Sequence, residues 1–112
     1  MRAIAHPMRD QLTLPGVLSA LSDPVRLGIV EALREGDELS CGALPVSVSK
    51  STLSHHLRVL RDAGLTSTRA EGVHRFVSLR HDDLEARFPG LLDCVLAHSD
   101  GLGNGGAFHT GG

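Results

Sequence analysis

The 112-residue chain has no tryptophan, no tyrosine and only three phenylalanines. Surfaces that stack single-stranded bases rely on exposed aromatic rings, so a platform of that kind is not expected. The core must be built mainly from Leu and Val, which suits packed helices. Cysteine is equally scarce. Cys41 and Cys94 stand far apart and form no C-x-x-C pair, which argues against a disulfide framework or a closed zinc site and for two free thiols in a reducing compartment. No apolar run approaches the roughly 20 residues that span a bilayer, and the opening "MRAIAHPMRDQ" lacks the continuous apolar stretch of a signal peptide. A cytoplasmic protein with no membrane partner is expected. Catalytic signatures are missing too: there is no G-x-S-x-G elbow, no phosphate-cradling glycine loop and no assembled set of acid, base and nucleophile. The expectation is a protein that is not an enzyme and carries no cofactor.

The composition present is that of an ordinary globular domain, with 41% apolar and 21% charged residues. The net charge of −2 argues against a nucleic-acid binder until it is divided along the chain. Residues 50–80 carry six Lys/Arg against two Asp/Glu, while the segments on either side are acidic. His55, His56 and His74 fall in the same basic stretch. A positive face built from the central third follows.

Helix signals recur along the chain. Leu12, Leu14, Val17, Leu18 and Leu21 suggest a short helix over about 16–22, interrupted at its start by Pro15-Gly16. "SDPVRLGIVEALREG" is clearer, with Asp23 at the N-cap, Pro24 at the first helical position and Gly36 past the end; Leu27, Val30 and Leu33 are placed on its core face. Ser40 is a candidate cap for one short turn ending before Pro45. Ser49 caps a helix running to about Ala63, and Gly64 ends it.

In that helix Leu53, Leu57 and Leu60 form one buried stripe. At about 100° per residue, His55 lies about 160° from Leu57 and His56 about 100° from it. The adjacent histidines therefore diverge, and a metal shared between them is disfavoured, because ligands on one helix need i, i+3 or i, i+4 spacing. His55 shares the outer surface with Lys50, Ser51, Thr52, Ser54 and Arg58. That surface reads either as a plain solvated helix face or as a contact surface. Next, residues 65–70 and 73–79 suggest a hairpin turning at Glu71-Gly72, with Arg69, His74 and Arg75 near its tip. Short helix, tight turn, capped helix and basic hairpin together describe a mainly α fold with a small β-hairpin, the winged helix-turn-helix.

From Asp82 onward, Leu84, Phe88, Leu91, Leu92, Val95 and Leu96 give a wide apolar face, kinked or divided at Pro89-Gly90. So much apolar surface at the end of a small domain suggests dimerisation through the terminal helices. Residues 1–98 are expected to form the domain, and 99–112, with six of the thirteen glycines, a flexible tail.

"LSDPVRLGIVEALREG" followed by "VSKSTLSHHLRVLRDAGLTSTRAEGVHRFVSL" resembles the ArsR/SmtB family of bacterial winged-helix repressors. The most specific parts are Asp23-Pro24-x-Arg26-Leu27 and Ser51-Thr52-Leu53-Ser54-x-His56-Leu57-x-x-Leu60 with Ala63-Gly64-Leu65. The resemblance implies a homodimer on a roughly palindromic double-stranded operator, released by a small-molecule, metal or reactive-sulfur inducer. It implies that Lys50, Ser51, Thr52, Ser54 and His55 face bases or nearby phosphates, that Arg58, Arg69, His74 and Arg75 mainly touch the backbone, and that His56 packs or bonds locally. Many relatives bind metals through E-L-C-x-C, but here that stretch is Glu38-Leu39-Ser40-Cys41-Gly42, with one thiol. The metal site known from the final helices of other relatives is also not matched in spacing, although Cys94 and His98 stand at i, i+4. Other relatives carry a cysteine before the recognition helix and another on the last helix, which makes Cys41 and Cys94 a candidate thiol switch if the fold brings them within disulfide range.

Overall fold

Thr13 opens the first helix, α1 (Leu14–Ala20), its hydroxyl accepting from the Gly16 amide at 3.1 Å. In this computed structural model, which describes residues 4–36 and 38–98, α1 begins two residues earlier than the sequence suggests. Pro15 falls in the first helical turn, where a missing N–H breaks no bond, so it starts the helix instead of interrupting it. The tail expected over 99–112 lies outside the described residues.

Helix α2 (Pro24–Glu35) has the expected cap: Asp23 Oδ1 accepts from the amides of Val25 at 2.8 Å and Arg26 at 3.2 Å. Its sealed residues are Ile29, Val30 and Leu33. Leu27, assigned to the core from sequence, is only half-buried. It points roughly 110° away from the centre of that stripe, at the edge of the core.

A strand the sequence does not announce follows: β1 (Leu39–Ser40) pairs antiparallel with β3 (His74–Leu79), Leu39 opposite Val77 and Ser40 opposite Phe76. Two residues are too few to show alternation, so the expected hairpin, β2 (Thr66–Glu71) with β3, proves to be part of a three-stranded sheet of order β1-β3-β2. One 3-10 turn, Cys41–Ala43, leads toward α3 (Lys50–Asp62). Gly64 leaves α3 at φ +87, and a Cβ there would lie 1.9 Å from a methyl of Leu12. Glycine is required at this position by both backbone and space.

The wing consists of β2 (Thr66–Glu71) and β3 (His74–Leu79). Glu71 pairs with His74, so the loop is Gly72-Val73, one residue later than expected. Gly72 takes φ +62, as the first position of a two-residue II′ loop demands. Pro89-Gly90 then divides the final helical stretch into α4 (His81–Arg87) and α5 (Leu91–Ala97).

Leu12, Val17, Ile29, Val30, Leu33, Leu60, Leu65 and Val77 form the sealed centre, each contributing about 1.5–3 kcal/mol by burial. Leu84, Leu92 and Leu96 close against the same core within the single chain, whereas Phe88, Leu91 and Val95 remain partly covered. Half of the terminal apolar face thus serves the chain's own core. The N-terminal segment is tied down along α4 and the residue before it. Arg80 Nη1 donates to Pro7 O at 2.8 Å, Arg87 donates to Leu12 O, and Arg9 and Arg80 both hold Asp83. No helix among the described residues is long and apolar enough to cross a membrane.

Candidate nucleic-acid interface

Ser49 sets the start of α3. Its hydroxyl accepts from the Thr52 amide at 3.2 Å and lies 2.9 Å from the Thr52 hydroxyl and 3.3 Å from that of Ser51. From this cap the sequence-predicted residues Lys50, Ser51, Thr52, Ser54, His55 and Arg58 all emerge on the exposed side. The hydroxyls of Ser51 and Thr52 are partly engaged by the cap. Lys50, Ser54 and the His55 ring nitrogens have no hydrogen-bond partner among the described residues. Arg58 makes only a loose i, i+4 contact with Asp62 at 3.8 Å. The outer face of α3 therefore presents exposed donors and acceptors, least engaged at Lys50, Ser54 and His55, on a helix anchored to the core by its other face.

The inner face holds His56, Leu57 and Leu60. His56 is buried, and its Nδ1 lies 3.0 Å from Arg26 Nη1. Because arginine can only donate, Nδ1 accepts, and the ring proton belongs on Nε2. Arg26 also donates through Nε to Ala20 O at 2.6 Å, tying the end of α1 to α3. Of the two roles expected for His56, packing or a local bond, it packs, and its hydrogen bond is made with α2.

The wing separates its basic residues. Arg69 is held by Glu38 at 2.9 and 3.1 Å and by Glu71 at 2.7 Å, and its guanidinium lies 4.6 Å from the Phe76 ring centre. Hydrogen bonds from Arg69 keep the Glu38 carboxyl below its ordinary range, and those same bonds push Arg69 upward. Arg69 fastens the β2 edge to the chain before β1, a use that competes with phosphate contact. His74 and Arg75 are exposed, and among the described residues the one hydrogen bond of the Arg75 side chain is a long one, 3.4 Å, to the His74 carbonyl.

Both cysteines are free thiols in separate surroundings. Cys41 is half-buried beside the wing, and burial raises its pKa despite a partly opposing effect of Arg75. Cys94 is exposed on α5, beside Asp93, which pairs with Arg34 of α2. His98 Nδ1 lies 2.9 Å from the Cys94 carbonyl oxygen. Among the described residues no group of three or more His, Cys, Asp or Glu is arranged to hold a metal.

Two side chains of the central region escaped the sequence reading. His6 Nε2 accepts from the Thr68 amide at 2.9 Å, covering the outer edge of β2. Burial, followed by the charges of Arg80 and Arg61, lowers the His6 pKa. Arg61 lines a cavity of about 580 Å³ together with Ile4, Ala5, Cys41, Ser54, Leu57, Arg58, Thr68 and Arg75. A lone His before a proline in a segment without periodicity carries no signal that could have placed it there.

Known proteins agree with this geometry. A family model described as "Helix-turn-helix domain" matches residues 21–69. Over 82 residues the chain is 42% identical to the HTH-type transcriptional regulator YceK of Bacillus subtilis (strain 168), covering 70% of this chain and 82% of that protein. It is 38% identical over 73 residues to the arsenical resistance operon repressor of Staphylococcus xylosus, covering 64% and 70%. Among solved structures, the transcriptional repressor BigR from Xylella fastidiosa superposes with a TM-score of 0.61 at 35% identity, covering 75% of this chain and 83% of that one. The fold is also that of an ArsR family transcriptional regulator, at a TM-score of 0.62 and 24% identity, covering 72% and 90%. On motif, architecture and relatives together, the chain belongs to the ArsR family of winged helix-turn-helix repressors, DNA-binding transcriptional regulators and not enzymes.

Proposed function

We propose that this repressor binds a roughly palindromic operator as a homodimer, reads it with the outer face of α3, and leaves it when an inducer binds. The carrying observation is the contrast within α3: the Lys50, Ser54 and His55 side chains are exposed with no hydrogen-bond partner among the described residues, while the opposite face is locked into the core. Ser54 and His55 are assigned to base edges, with Ser51 and Thr52 beside them at the capped end. Lys50, Arg58, His74 and Arg75 are assigned to phosphates, which fix register without carrying sequence information. Arg69 serves mainly to brace the wing.

Leu14 and Leu18 support a second copy. They are i, i+4 neighbours on α1 and remain 43% and 45% exposed, while Val17 and Ala20 are buried behind them. With the partly covered Phe88, Leu91 and Val95, they supply apolar surface for dimerisation. Half-sites on the operator would lie about one helical turn apart. The inducer is not read from the arsenical relatives, because Glu38-Leu39-Ser40-Cys41-Gly42 offers a single thiol. Burial of Cys41 also weighs against a thiol switch with Cys94, since it disfavours the reactive thiolate.

Gel-shift titration against the DNA upstream of its own transcription unit tests the reading. Affinity should fall linearly with salt on logarithmic axes, as counterion release requires. Arg75→Ala should weaken all sequences alike and lower the salt slope by about one, whereas Ser54→Ala should alter base preference. Absence of salt-dependent duplex binding would leave a winged helix that recognises proteins instead.

A further inference from the structure

The cavity between α3 and the wing is not explained by base reading. Three guanidinium groups, Arg58, Arg61 and Arg75, line it, and among the described residues neither Arg61 nor Arg75 has a carboxylate partner. The Asp62 contact of Arg58, at 3.8 Å, is long and exposed. Leu57, Cys41, Ile4 and Ala5 supply apolar wall, and Ser54 and Thr68 supply hydroxyls. At about 580 Å³ the space lies within the range of small-molecule sites, and a few convergent polar groups on apolar walls are their usual construction.

Arg61 separates this cleft from the DNA surface. It is half-buried, unlike the exposed Arg58 and Arg75, and its charge is felt by His6, which is bonded to the β2 edge. The strapped N-terminal segment thus forms one wall, with Ile4 and Ala5 on the cavity.

We propose that this cleft is the effector site of the repressor and that its ligand is a small organic anion, a carboxylate or phosphate ester on a compact apolar body. Guanidinium forks match both head groups bidentately. An anion bound here takes Arg58 and Arg75 away from DNA phosphates and covers Ser54, so ligand and operator exclude each other. That displacement rests on the operator-binding reading above; binding of the anion to the cleft does not.

The test is a titration of the isotope-labelled full chain with phenyl phosphate, benzoate and inorganic phosphate, at ionic strength held constant with potassium chloride and followed by amide NMR. Saturable shifts are expected at Ala5, Cys41 and Thr68, with phenyl phosphate binding more tightly than inorganic phosphate. Arg61→Gln should weaken phenyl phosphate by about tenfold, the loss of one charge-assisted partner, while probe-free DNA affinity stays within about twofold. Ala5→Trp, which fills the mouth, should block the probe and leave distant amides unchanged. Phenyl phosphate should release DNA from the wild type far more readily than from Arg61→Gln. No saturable shift with any of the three probes, or equal binding by Arg61→Gln, overturns the proposal. Saturable shifts in a protein that binds no DNA would leave the anion site standing and remove the operator reading instead.

Discussion

His55 and His56 are the same residue type, one position apart, with ring centres 5.6 Å from each other. His56 is buried with an arginine on its ring, and the exposed His55 ring has no hydrogen-bond partner among the described residues. The cause is about 100° of helical rotation per residue, measured from the Leu57 and Leu60 stripe. Role on α3 is therefore assigned by position relative to that stripe and not by residue chemistry. The inner face spends its polar groups inside the molecule; the outer face keeps them available.

Substitutions that damage only one face sharpen the contrast. Leu60→Ala, at a fully sealed position, should cost about 2–5 kcal/mol in urea unfolding and weaken DNA binding only through the unfolded fraction. Gly64→Ala should cost about 2–4 kcal/mol by the same measurement, combining the left-handed backbone with a collision against Leu12. His56→Ala should cost about 1–3 kcal/mol, because Nη1 of the partly buried Arg26 loses its acceptor. His55→Ala should change stability by less than about 0.5 kcal/mol, yet lower operator affinity in gel shifts. Equal stability losses for the two histidines would break the comparison.

A further small effect lies away from α3. Hydrogen bonds from Arg9 and then Arg80 hold the Asp83 carboxyl below its ordinary range. Its contribution is complete above the unfolded carboxylate value near 4 and is lost as pH falls through the lower folded value. Asp83→Asn should flatten that part of an acid-unfolding profile by less than about 1 kcal/mol, since the pair is screened by solvent.

Much of this fold was legible because it is written in local signals. Asp23-Pro24, Ser49 and Gly64 are capping and stop residues whose effect needs no tertiary context. The outer face of α3 followed from helical period alone. What was hidden depends on distant partners. β1 is two residues long and exists because β3 offers it an edge. Arg69 reads as a free wing cation until Glu38 is brought beside it from 31 residues earlier. The division of the terminal apolar face between the chain's own core and a second copy depends on which leucines α2 and the sheet can reach. The cleft is assembled from the N-terminal segment, Cys41, α3 and both strands of the wing, and no local signal announces that these meet.

The most direct test of the outer-face assignment is an amide NMR titration of the labelled protein with duplex DNA from upstream of its own gene. The predicted result is large shifts at Lys50, Ser51, Ser54, His55 and Arg58 and around Arg75, with small ones on α1 and α5. Shifts gathered on α1 and α5, or no response to the duplex, would contradict it.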